Sequence, residues 1–138
     1  MLPTIEVVHE NAYCTVRWIA DGEYLHIEWR GAPTSEPYHE AHEAAIPVLL
    51  RHKGSRVLFD TRALKVVQAS DQAWFTADFM PRFVAVGIKR SAVLEAASPV
   101  GALSVANIVN TDTKRGLKRE ARSFRSLDEA VSWLTSEE

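Results

Sequence analysis

Three polar side chains close together in the sequence have the right chemistry to bind a metal ion: His39, His42 and Glu43. Residues three or four apart in a helix share a face, and imidazole and carboxylate groups are zinc ligands. A metalloprotease helix, however, has its two histidines four residues apart with the glutamate between them. No further ligand cluster accompanies the three residues here. We therefore interpret them as a solvated polar helix face, and a metal-dependent enzyme is the alternative.

Asp60 and Arg62 stand at the end of a predicted buried strand, residues 56–61. Ligands of open α/β sheets gather at the carboxyl ends of strands, so these residues are candidates for the polar rim of a pocket. Aspartate is also common in such turns for local hydrogen-bonding reasons. The alternative is that Asp60 caps the following loop and pairs with Arg62. Asp60 is also the residue on which a small hydrolase-type enzyme would depend.

A predicted helix at about residues 71–86, here called the aromatic helix, carries an unusual density of large apolar side chains. Its apolar surface is wider than one core stripe. Either a second layer covers that surface, or it lines an apolar pocket, or it forms a dimer face. Its aromatic residues are Trp74, Phe75, Phe79 and Phe83. We predict that this surface binds a protein partner or a small apolar ligand, and core packing is the structural alternative.

Six basic residues cluster near the C-terminus, with Glu120 as their only acidic neighbour. They are Lys114, Arg115, Lys118, Arg119, Arg122 and Arg125. Such a cluster could attract phosphate, nucleic acid or an acidic partner. Phe124 is the only aromatic residue nearby, so stacking on single-stranded nucleic acid is poorly supported. We favour a charged edge strand, because lysine and arginine commonly protect sheet edges.

Composition and missing motifs exclude several other classes. The 138 residues are 25% charged, with a net charge of -2, so the whole chain is not a polyanion binder by charge. A nucleophile elbow, a phosphate-binding loop and a dinucleotide-binding glycine motif are all missing, and no cofactor is expected. Cys14 is the one cysteine, and neither a signal peptide nor a long apolar run is found. These features predict a cytoplasmic protein with a buried structural thiol.

The surrounding elements alternate between strands and helices. Leu25, Ile27 and Trp29 alternate with polar residues, which is typical of a strand with one buried face. Pro47 should kink or break the first helix. Strands are predicted at residues 4–9, 12–19, 24–30, 56–61, 88–95 and 118–125, and helices at 35–53, 71–86, 99–111 and after Ser126. This order predicts one α/β domain over residues 1–138, with antiparallel N-terminal strands, then βα repeats, and helices packed on a mixed sheet.

The element order resembles the STAS fold of anti-sigma-factor antagonists, the SpoIIAA-like superfamily. Local matches are the strand end 57–60, the helix with Trp74 and Pro81, and the Gly-x-Lys strand that starts at Gly87. The C-terminal pattern matches at Phe124, Ser126, Glu129, Ala130, Trp133 and Leu134. The resemblance covers about residues 22–135 and points to small stand-alone bacterial STAS-like proteins. It implies a regulatory protein interaction or carriage of an apolar ligand.

One departure from that family concerns Ser70. Phosphorylated antagonists usually have an Asp-Ser-Ser-Gly-like turn at the start of the helix, whereas residues 68–72 lack the second serine and the glycine. The resemblance therefore does not transfer the phosphorylation switch, and we interpret Ser70 as the helix N-cap. The sequence predicts a non-catalytic binding or regulatory domain without a metal. Its predicted site is the aromatic helix with Asp60, Arg62 and Ser70 at the rim. A homodimer through that helix remains an open alternative.

Overall fold

A single mixed sheet organises the chain. The computed structural model describes residues 4–115 and 120–136, without the side chains of 112–115. Within that part the strands are β1 (Ile5–Glu10), β2 (Cys14–Ile19), β3 (Tyr24–Gly31), β4 (Arg56–Leu64), β5 (Arg90–Leu94) and β6 (Glu120–Phe124). Their order in the sheet is the order of the sequence. The strands from β1 to β3 are antiparallel and those from β3 to β6 are parallel, so the predicted α/β architecture is confirmed.

Helices fill the connections between the parallel strands, and a last helix follows β6. They are α1 (Ser35–His52), α2 (Ala69–Trp74), a π-helical turn (Phe75–Phe79), α3 (Met80–Ala85), α4 (Pro99–Arg115) and α5 (Leu127–Thr135). Pro47 was predicted to kink or break the first helix, and it does not break it, because α1 continues through it. The aromatic helix is three segments, since the π-helical turn interrupts it. No helix in the described residues is long and apolar enough to cross a membrane.

The two faces of the sheet are covered differently. One face packs against α1, the segment from α2 to α3, and α4, and it holds the larger core cluster. The other face is covered by α5, which lies over β4, β5 and β6 and encloses a smaller cluster around Leu58 and Leu134. We call these the three-helix face and the α5 face. On β2 and β3, the part of this face that α5 does not cover carries polar side chains.

The strand register builds the floor of the three-helix face. Val16 of β2 pairs with Ile27 of β3, and Ile27 pairs with Phe59 of β4. Phe59 in turn pairs with Val93 of β5. Side chains of a strand alternate between the faces, so this row is apolar while its neighbours along each strand point to the other side. The predicted alternation of residues 24–30 is confirmed by the buried Leu25, Ile27 and Trp29.

Candidate functional site

A cavity of about 60 Å³ lies between the sheet and the helices of the three-helix face. We call it the central cavity. It is lined by Trp29, Phe59, Thr61, Leu64, Ser91, Val93 and Ala121 from the strands, by Val67 from the loop after β4, and by Tyr38, His42, Phe75, Met80, Val105, Ile108 and Val109 from the helical segments. Phe59 and Thr61 are two residues apart in β4, so the alternation of the strand places both on this face. The wall is therefore mainly aliphatic and aromatic, with few polar groups.

His42 is a deeply buried polar group of the cavity wall, with 1% of its surface exposed. Nδ1 of its ring donates to the carbonyl oxygen of Tyr38 at 2.9 Å. Burial lowers the pKa of His42 to about 3, which keeps the ring neutral near pH 7. Six aromatic rings have centroids 4.6–6.4 Å from the centroid of His42: Trp29, Tyr38, Phe59, Trp74, Phe75 and Phe79. The prediction of a solvated position is wrong for His42, which lies in the core.

His39 belongs to a different contact network, which joins the start of α1 to the start of α2. Its Nε2 is hydrogen-bonded to Oδ1 of Asp71 at 3.1 Å, and its ring stacks on Trp74 with a centroid distance of 3.8 Å. Asp71 is buried and also accepts a hydrogen bond from the hydroxyl of Ser35 at 3.0 Å. This carboxylate ties the two helices together beside the cavity.

Glu43 is exposed and pairs with Arg82 through two hydrogen bonds of 2.8 and 2.7 Å. The bonds from Arg82 lower the pKa of Glu43. The three residues thus have three different partners, which are Asp71 for His39, the carbonyl oxygen of Tyr38 for His42, and Arg82 for Glu43. Within residues 4–115 and 120–136, no group of three or more histidine, cysteine, aspartate or glutamate residues is placed to hold a metal ion. The sequence-based alternative of a metal centre at these residues has no geometric support in that part of the chain.

Asp60 and Arg62 lie on the α5 face, away from the central cavity. The carboxylate of Asp60 is buried and accepts two bonds from Arg62, at 2.9 and 2.8 Å, and one from Nε2 of His26 at 3.1 Å. Burial raises the pKa of Asp60, but the hydrogen bonds from His26 and Arg62 outweigh it and hold the pKa well below its usual range. The backbone N–H of Arg62 also donates to this carboxylate. This geometry matches the alternative in which Asp60 pairs with Arg62.

The structure therefore separates the predicted site into two parts. The side chain of Phe75 lines the central cavity, whereas Phe79 and Phe83 are fully buried core residues. Trp74 is half-buried against His39. Asp60 and Arg62 cannot form the rim of that cavity, because consecutive β4 residues point to opposite faces and Phe59 already faces it.

Ser70 is exposed in the first turn of α2, and the prediction that it caps the helix is wrong. Gln68 occupies the N-cap position and makes no side-chain cap bond. The helix therefore begins one residue before Ser70, which places its hydroxyl beyond the cap position.

Part of the basic cluster lies outside the described residues, namely Lys118 and Arg119, and the side chains of Lys114 and Arg115 are not described either. The other two basic side chains lie at the edge strand β6. The guanidinium of Arg122 lies over the ring of Trp133, with its carbon 5.2 Å from the ring centroid. Arg125 pairs with Glu95 at 3.2 Å. These two cations are each engaged by a neighbouring side chain at the sheet edge.

Sequence reasoning missed the residues that complete these sites: Tyr38 and His42 as cavity walls, His26 as a partner of Asp60, and the carboxylate of Asp71. One signal was available for His42. His42 follows the aromatic Tyr38 by four residues in a predicted helix, so the two share a helix face. No sequence signal pairs His26 with Asp60, which are 34 residues apart.

Comparisons with known proteins bear on the fold. No protein-family model matches the chain, and no curated protein matches it either. A similar solved structure is the crystal structure of an uncharacterised protein of the DUF3478 family with a SpoIIAA-like fold, from Shewanella loihica PV-4. The two share 18% sequence identity with a TM-score of 0.62, over 91% of this chain and 98% of the other. The chain therefore has a SpoIIAA-like fold, as the resemblance in its sequence predicted.

Proposed function

We propose that this STAS-like domain is a non-catalytic binding protein that takes a small apolar molecule into the central cavity. The observation that carries the proposal is the cavity itself, whose wall is mainly aliphatic and aromatic. Small-molecule sites are typically concave and apolar, with a few polar groups that orient the ligand. The neutral imidazole of His42 is a polar group of that kind.

The size of the cavity limits the ligand. The cavity volume of about 60 Å³ is larger than one water molecule needs. A cavity that holds one water requires a volume of roughly 10–15 Å³. The central cavity is smaller than the engineered cavity of about 150 Å³ that binds benzene. A five-membered aromatic ring, or the end of a larger apolar molecule, suits the cavity best.

The burial of the aromatic segment favours a small ligand over a protein partner. Phe75, Phe79 and Phe83 each have less than 5% of their surface exposed, so they offer no surface for a protein to dock on. Phe75 instead contributes to the cavity wall. Of the residues that the sequence suggested as a docking surface, Phe75 thus supports an internal binding site.

The chemistry of His42 favours binding over catalysis. An imidazole with a pKa of about 3 is a weak base near neutral pH, where an effective general base has a pKa close to the working pH. The polar partner of its ring in the described part of the chain is a main-chain carbonyl oxygen, not an acid or a nucleophile. His42 is thus suited to accept a hydrogen bond rather than to activate a reacting group.

The test is a titration with furan, a small apolar ring, followed by two-dimensional NMR. We expect saturable shifts at cavity residues with a dissociation constant of roughly millimolar size, given so few ligand atoms. Val105→Phe should abolish the shifts, because Val105 lines the cavity and a larger ring would fill it. Val100→Phe is the matched control, since Val100 is an exposed residue of the same helix. Equal binding to the wild type and Val105→Phe, or no saturable binding, would contradict the proposal.

A further inference from the structure

The tautomer of His42 follows from its hydrogen bond. Nδ1 lies 2.9 Å from the carbonyl oxygen of Tyr38, and a carbonyl oxygen can only accept, so Nδ1 carries the hydrogen. In a neutral imidazole the other nitrogen then holds the lone pair. Nε2 of His42 is therefore a hydrogen-bond acceptor.

This acceptor belongs to a residue of the cavity wall. In the described residues, Nε2 of His42 has no hydrogen-bond partner, and His42 is one of the residues that line the central cavity. Buried polar groups normally find a partner, so an occupant that donates a hydrogen bond would complete this group.

The other features of the wall narrow the chemistry of that occupant. The hydroxyl of Thr61, which also lines the cavity, already donates to the carbonyl oxygen of Leu94. An anion would meet a lone pair at Nε2, and any charged group would lose its hydration against an apolar wall. A neutral molecule with one N–H or O–H donor is compatible with the wall.

We infer that the central cavity selects small, neutral, apolar molecules that carry one hydrogen-bond donor, such as an azole N–H or an alcohol, and that Nε2 of His42 accepts that hydrogen bond. This inference rests on the proposed function, because it specifies the ligand of the same cavity. His42 acts as the specificity-determining residue, and the aromatic rings around it provide the apolar contacts.

Pyrrole and furan make a matched test, because the two rings are nearly the same size and only pyrrole has an N–H donor. In NMR titrations of the wild type, we expect pyrrole to bind about five- to tenfold tighter than furan, the usual size of one net hydrogen bond. His42→Phe keeps a ring but removes the acceptor, so the two affinities should become equal. Nitrogen NMR of the wild type provides a readout that needs no variant, since pyrrole but not furan should shift the Nε2 resonance of His42.

The outcomes distinguish this inference from the proposed function, which is the binding of a small apolar molecule in the central cavity. If pyrrole and furan bind the wild type equally well, or if pyrrole leaves the Nε2 resonance unchanged, the hydrogen-bond inference is wrong while the apolar binding site stands. If neither ring binds at the cavity, the proposed function fails and the inference fails with it. A preference for pyrrole that persists in His42→Phe would assign the acceptor to another group and overturn the role of His42.

Discussion

Nδ1 of His42 donates to the carbonyl oxygen of Tyr38, one helical turn earlier in α1, at 2.9 Å. The bond holds a neutral imidazole among six aromatic rings. It leaves Nε2 as the hydrogen-bond acceptor of a residue that lines a cavity of about 60 Å³. Because Tyr38 and His42 lie on one face of α1, a hydrogen bond within the helix determines which ring nitrogen of His42 donates and which one accepts.

Acid should destabilise the fold through His42 before the carboxylates titrate. The pKa of His42 is about 3 when folded and about 6.5 when unfolded, so the unfolded chain binds a proton that the folded chain excludes. The stabilisation is complete above pH 6.5 and is lost as the pH falls toward 3, by about 1.4 kcal/mol per pH unit in the middle of that range. Urea unfolding at pH 7, 6 and 5 measures this slope.

His42→Phe is the control for that measurement, because it has no group to protonate at this position. Its free energy of unfolding should depend less on pH between 7 and 5 than that of the wild type. Equal slopes in the two proteins would show that His42 does not cause the acid sensitivity.

Removing Arg62 should destabilise the protein more than removing a cation whose carboxylate partner is more exposed. Arg62→Ala leaves the buried carboxylate of Asp60 with His26 as its remaining side-chain donor. We expect a loss of about 1–2 kcal/mol at pH 7, reduced from the cost for a fully buried pair because Arg62 is half exposed.

Arg17→Ala is the matched control for Arg62, since Arg17 pairs with Glu28 on the same face at 2.9 Å and both side chains are partly exposed. Its loss should be under about 1 kcal/mol. Chemical denaturation compares the two variants, and a greater loss for Arg17→Ala would contradict the assignment of Asp60 as the buried anion.

Phe79 should contribute to stability as a core residue. Its side chain is fully buried, and its ring packs at a tilt against that of Phe83 with centroids 4.9 Å apart. Phe79→Ala should cost about 3–5 kcal/mol, the usual penalty for an empty space of that size. Leu103→Ala, at a residue 60% exposed on α4, should change stability by about 0.5 kcal/mol or less. Similar losses in thermal or urea unfolding would show that the aromatic segment is not part of the core.

Two serines at helix starts should respond differently to alanine. Ser126 is the N-cap of α5 and its hydroxyl accepts from the N–H of Glu129, so Ser126→Ala should cost about 1 kcal/mol. Ser70 is exposed inside the first turn of α2, so Ser70→Ala should change stability by less than about 0.5 kcal/mol. A larger loss at Ser70 would restore the capping role that the sequence suggested.

Most of the fold could be predicted from the sequence, because its elements depend on short-range periodicity. The alternation of Leu25, Ile27 and Trp29 identified a strand and its buried face, and Ser126 marked the start of α5. The interruption of the aromatic helix at Phe75–Phe79 was missed. A π-helical turn widens the helix by one residue and leaves the apolar composition unchanged, so periodicity does not reveal it.

The candidate site was predicted less well. The side chain of Phe75 lines the central cavity, but Asp60 and Arg62, which the sequence grouped with it, lie on the other face of the sheet. They also lie within β4 and not at its end, because the strand continues to Leu64. The face on which they lie depends on the side-chain direction within β4, where Phe59 and Asp60 point to opposite sides.

The sequence by itself determined the mixed α/β class, the order of strands and helices, and the apolar face of the strand at residues 24–30, because these follow from the identities of neighbouring residues. Only the tertiary structure decided that His42 is buried and neutral, that Asp60 binds His26, and that a cavity lies beneath α1 and α4. Those features arise where strands and helices distant in the sequence meet. The protonation of a side chain and the space beside it depend on what those distant segments bring into contact.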